Sequence, residues 1–124
     1  MSKLKAVTDE NSRMAEMLDY IRSSMAEKDR ESLRTLLNMP EGRWFIVRLL
    51  DKTKVMLESF TGNSSTFYNE GRRSVGVALI NEISNLGLDG FDKRQLAEKE
   101  YILEQQRFKE LFLDSLKEEE EADE

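Results

Sequence analysis

A single proline, Pro40, stands in a chain of 124 residues. Around it the sequence is written largely in Leu, Glu, Lys, Arg and Met, the strongest helix formers. Proline lacks the amide donor and pushes the residue before it out of the α region, so Asn38-Met39-Pro40 must end one helix and begin another. Elsewhere little opposes helix. The expected fold class is all-α: a small bundle of about four to five helices with a central hub helix pair and a charged C-terminal tail.

Periodicity divides the chain. From Val7 to Met25 the residues Val7, Met14, Met17, Leu18, Ile21 and Met25 form one amphipathic stripe, half of it methionine, and flexible methionine suits imperfect or changing partners. A break is expected near Glu27 to Asp29, followed by a short helix carrying Leu33, Leu36 and Leu37. A helix from Pro40 to about Leu57 has apolar residues on most sides, with Arg43 and Arg48 reaching outward along their aliphatic stems. The small polar run Ser59 to Ser65 reads as a turn and helix cap, with Gly62 or Asn63 free to take positive φ. It precedes a helix from about Thr66 to Leu86 striped by Phe67, Gly71, Val75, Ala78, Leu79, Glu82, Ile83 and Leu86, which Gly87 should terminate. Asp92 is expected to open the last helix, which reads to about Leu116; Ala97, Tyr101, Phe108, Leu111, Phe112 and Leu116 line one face, and Ile102, Leu103 and Leu113 add a second strip. The expected organisation is therefore a Met-rich helix over 1–28, a helical core over 29–90, a C-terminal amphipathic helix over 91–117 and a disordered acidic tail over 118–124.

Gly71 and Gly76 lie inside a helix, where each costs about 1 kcal/mol against alanine. Close helix packing would offset that cost, with Gly71 admitting a bulky neighbour such as Trp44, and Phe67 packing on the same stripe.

The chain contains no Cys and no His. It therefore lacks the best soft metal ligands, the usual thiol nucleophile and the usual proton shuttle near neutral pH. No pair of carboxylates shows a spacing suited to acid and base catalysis, and Asp89-Gly90-Phe91-Asp92 is too short for a calcium loop. The polar run at 59–65 lacks the lysine and the preceding strand of a phosphate-binding loop. The expectation is a protein that is not an enzyme and uses no cofactor or metal. MSKLKAVTDENSRM lacks the apolar segment of a secretory signal, and no run approaches the roughly 18 apolar residues of a membrane span, so a soluble protein made in a cytoplasm is expected.

The net charge of −6 is unevenly spread. Residues 29–88 carry eight basic and seven acidic groups, whereas residues 89–124 carry six and thirteen. Nonspecific duplex binding by the whole molecule is disfavoured, although arginines in the middle could still meet phosphate. Arg43, Arg48, Arg72 and Arg73 are the candidates, each read either as a structural staple to a carboxylate or as a phosphate contact. Staples are preferred, because the local charge is nearly balanced. Partner-binding candidates are Met14, Met17 and Ile21 on the first stripe and Leu113 and Leu116 on the last helix.

Several short motifs occur in order: Met39-Pro40-Glu41-Gly42-Arg43-Trp44-Phe45, Arg48-Leu49-Leu50, Ser59-Phe60-Thr61-Gly62-Asn63-Ser64 with Thr66-Phe67, and Glu70-Gly71-Arg72-Arg73 with Val75-Gly76 and Leu79-Ile80. Together they resemble a family of small uncharacterised proteins encoded in the virion-structure gene clusters of tailed bacteriophages. The resemblance spans about Leu33 to Ile83 and leaves both ends uncovered. It implies a virion-associated or morphogenesis protein acting by protein-protein contact, at the head-to-tail junction or among internal, ejected components. Its partners would be other virion proteins or further copies of itself, and its location the host bacterial cytoplasm and then the particle. Two rivals stand beside this: an acidic inhibitor of a host nucleic-acid-handling protein, acting through Glu118 to Glu124, and nucleic-acid contact through the arginines.

Overall fold

The computed structural model describes residues 2–53 and 65–123, with side chains over 3–53 and 70–123. Among these residues it contains four helices and no strand: α1 (Ser2–Leu37), α2 (Pro40–Lys52), α3 (Ser65–Ser84) and α4 (Leu88–Asp123). The all-α reading holds. The polar turn and cap expected over 59–64 and the Phe67 side chain lie outside the described residues.

α1 runs for 36 residues without the break expected near Glu27 to Asp29. That segment is rich in helix formers, and Arg30 pairs with Glu27 one turn back at 3.2 Å. The helix stops where proline requires it to stop. Met39 takes the extended conformation (φ −116°, ψ 135°), and Pro40 then occupies the first turn of α2, where its missing amide costs nothing. The reversal is tight, with the Asn38 amide bonded to the Arg34 carbonyl at 3.1 Å and the Met39 amide to the Leu36 carbonyl at 3.2 Å.

α2 buries Gly42, Arg43, Ile46, Val47 and Leu50, a single helical face, rather than apolar residues on most sides. Its bounds are Pro40–Lys52, and the Thr53 hydroxyl donates to the Leu50 carbonyl at 2.9 Å; the expected continuation to Leu57 lies outside the described residues. In α3 the inward face also differs from the expected stripe. Leu79, Ile83 and Leu86 face inward as expected, but so do Arg72, Gly76 and Ile80, whereas Gly71, Val75, Ala78 and Glu82 are exposed. Gly87 ends this segment with φ 85°, a left-handed conformation that glycine adopts without a Cβ penalty. α4 then starts at Leu88, four residues before Asp92, and continues through the acidic run to Asp123 in place of the expected disordered tail.

The chain divides into two compact units, Met1–Leu33 and Arg34–Glu124. The first is helix alone, and all its described side chains except Leu33 are exposed. In the second, α4 packs chiefly on α2 and also on α3, so it belongs to the same core as the central helices. Leu37, Ile46, Val47, Leu50, Ile83 and Ala97 form that core, each of its Leu, Ile and Val side chains contributing about 1.5–3 kcal/mol when fully buried. Two helix crossings are set by glycine. A Cβ at Gly42 would collide with the Leu36 carbonyl, and one at Gly90 with the Ile83 carbonyl. These are the close-packing glycines. At Gly71 a Cβ meets nothing, so the expected role of that residue in admitting Trp44 is not found.

Candidate functional site

The α2–α4 contact is built from three polar or aromatic links. Arg43, expected to reach outward, is instead buried with its guanidinium between two acceptors: it pairs with the Glu100 carboxylate and donates to the Leu37 carbonyl at 2.9 Å. That carbonyl lies at the C-terminal end of α1, where helix geometry leaves it without an intrahelical partner. Arg43 is therefore a staple. One helical turn and a half further on, Arg48 donates to the Tyr101 hydroxyl and to Asp51, both at 3.1 Å, and the Tyr101 hydroxyl donates to Asp51 at 3.3 Å. The Trp44 and Tyr101 rings lie 5.6 Å apart at an interplanar angle of 50°, a tilted aromatic pair.

These links leave a groove of about 640 Å³ on the outer side of the α2–α4 contact. Trp44, Ala97, Leu103 and Phe108 line it with apolar surface, and Glu41, Glu100 and Glu104 with carboxylates. Glu100 is held by Arg43, and Glu104 is held by Arg107 at 2.7 and 3.0 Å. The Arg107 hydrogen bonds keep the Glu104 carboxyl below its ordinary pKa, and the same bonds raise that of Arg107. Arg107 also lies over the Phe108 ring at 4.9 Å. The groove thus offers apolar surface beside three carboxylates, two of which are already paired within the chain.

From the groove an apolar strip continues along α4. Leu111, Phe112, Leu113 and Leu116 are all exposed, Phe112 at 62%. On α1 the partner-binding candidates Met14, Met17 and Ile21 are exposed as well. The expected partner-binding residues are therefore accessible. Arg72 and Arg73 are half-buried on α3, Gly76 is buried, and Trp44 lines the groove with part of its surface exposed.

Sequence reasoning missed Glu100, Tyr101's hydroxyl and the two packing glycines. Glu100 carried a signal: it falls within the helical face of Ala97, Tyr101, Glu104 and Phe108, so a carboxylate in that row needs a cationic partner. Among the described residues no group of three or more acidic, His or Cys side chains is arranged to hold a metal, and no helix is long and apolar enough to cross a membrane. No protein-family model, curated protein or solved structure matches the chain.

Proposed function

We propose that this chain is a small bacteriophage protein, virion-associated or acting in morphogenesis, that works by protein-protein contact at the head-to-tail junction or among the internal, ejected components. The observation that carries the contact role is the apolar strip from the α2–α4 groove to Leu116, exposed along one helix. Contiguous apolar surface beyond a few hundred Å² marks interaction sites in soluble proteins. The phage setting rests on the ordered motifs between Leu33 and Ile83. The matching partner presents an apolar helix or loop, because Trp44, Ala97, Leu103 and Phe108 line the groove and two of its three carboxylates are already paired within the chain.

Mass spectrometry of purified particles should find the chain at a reproducible copy number. Replacing Leu113 and Leu116 together by Asp should lower that number at least several-fold while leaving the circular dichroism of the purified chain unchanged. Particles that contain no copies, during an infection in which the chain is made, would sink the virion role.

One feature favours the host-inhibitor reading as an alternative. Glu118 to Glu121 and Asp123 are carried on helix, so their carboxylates are displayed at regular helical spacing. Removing residues 118–124 separates the two readings. Loss of a host nucleic-acid-handling protein from pull-downs supports inhibition, and unaltered incorporation into particles supports the contact role.

A further inference from the structure

The exposed stripe of α1 has a stricter period than a helix packed on a globular core requires. Leu4, Val7, Asn11, Met14, Leu18, Ile21 and Met25 alternate at spacings of three and four through three heptads, an average of about 3.5 residues that holds a seam against another helix only when the two supercoil. All six apolar members are exposed, from 43% at Leu18 and Ile21 to 75% at Leu4. We propose that copies of this chain associate through α1 as a parallel, in-register coiled coil, with Leu4, Asn11, Leu18 and Met25 in one set of layers and Val7, Met14 and Ile21 in the other. This names the partner of one apolar face in the contact role proposed above and rests on that reading only for its biological setting.

Asn11 selects the arrangement. In parallel, in-register pairing its amide meets the same amide of the next copy, and the two satisfy each other. Turning one helix round so that the same seam still closes would set Leu4 against Ile21 and Val7 against Leu18. Asn11 would then face the Met14 thioether, a poor partner for a buried amide. A slip of one heptad sets Asn11 against Leu4 or Leu18. The flanks agree with the parallel form: Lys3 meets Thr8, Glu10 meets Ala15, Met17 meets Arg22 and Ser24 meets Asp29, so no like charges oppose one another. The area is also adequate. The half-exposed seam and Met17 leave on the order of 500 Å² of apolar surface per chain, so two copies would cover on the order of 1,000 Å², where specific interfaces begin.

The absence of cysteine makes the test clean. Leu18→Cys in the full chain should crosslink to itself under mild oxidation, because in-register pairing brings the two Leu18 positions together. Glu16→Cys, on the outer face of the same helix, should not. Sedimentation should give a multiple of the 14.5 kDa chain mass, and Ile21→Glu should return it to one chain with its helical signal largely kept. A monomer at 100 µM, or crosslinking by Glu16→Cys as readily as by Leu18→Cys, would overturn the proposal. A monomer that is nonetheless found in particles would leave the virion role standing and remove only the seam.

Discussion

Glycine shows how position outweighs residue type. Gly42 and Gly90 sit where the α1–α2 and α3–α4 reversals bring a helix backbone against a preceding carbonyl, whereas Gly71 faces open space. Gly42→Ala and Gly90→Ala should each destabilise by about 3 kcal/mol through overpacking against backbone that cannot move aside. Gly71→Ala should instead stabilise by about 0.5–1 kcal/mol through helix propensity. Thermal melts of the three variants check both signs. Arg43 gives a second test, because its guanidinium serves Glu100 and the Leu37 carbonyl together. Arg43→Met should cost about 2–3 kcal/mol by denaturant titration, below the roughly 3–5 kcal/mol for breaking a fully buried pair, because the Glu100 side chain keeps 34% exposure. The sequence showed an arginine suited to stapling but not its partner 57 residues away, since that pairing depends on how α2 and α4 meet.

The elements themselves were legible wherever a local rule governs them. Pro40 and its extended predecessor place the start of α2, and positive φ at Gly87 places the end of α3. Boundaries failed where the signal was only charge. Glu27 to Asp29 looked like a break and Glu118 to Glu124 like coil, yet both segments are strong helix formers, and α1 and α4 run through them as far as Asp123. The inward face of α3 was misread in part: Leu79 and Ile83 lay on the expected stripe, but exposed Val75 is as apolar as half-buried Ile80, so pattern alone could not choose between them. Within α4 the Glu104–Arg107 pair offers a titration test. Arg107→Gln should let the Glu104 carboxyl rise toward its ordinary pKa, followed by carboxyl NMR shifts against pH. Because folding lowers that pKa, the pair's contribution is present above the unfolded value and lost as pH falls through the folded one. Its solvent exposure keeps the contribution small.

Over the whole molecule, burial is concentrated in one of the two units. Leu37, Ile46, Val47, Leu50, Ile83 and Ala97 belong to Arg34–Glu124, and the described side chains of Met1–Leu33 are exposed up to its last residue. Stability should be divided in the same way. At concentrations too low for association, hydrogen exchange should be slowest in α2, the end of α3 and the first half of α4, and fast over residues 3–30 and 108–123. Uniform protection along α1 in a dilute, monomeric sample would contradict that division. Which of these surfaces meets which partner was not legible from sequence, because an apolar stripe on a helix has the same pattern whether the core or another molecule covers it.

α4 is held near one end and continues well past its hold. Arg43 grips it at Glu100, and Leu116 lies sixteen residues further along the same unbroken helix, about 24 Å away at 1.5 Å per residue. The outer part of α4 is thus a cantilever anchored on the α2 and α3 contacts, with Arg43–Glu100 and the Tyr101 links to Trp44 and Arg48 near its root. A tilt of α4 by about 10° at that root would carry Leu116 through roughly 4 Å, and a load taken up at Leu113 and Leu116 would return to the core as torque shared by those contacts.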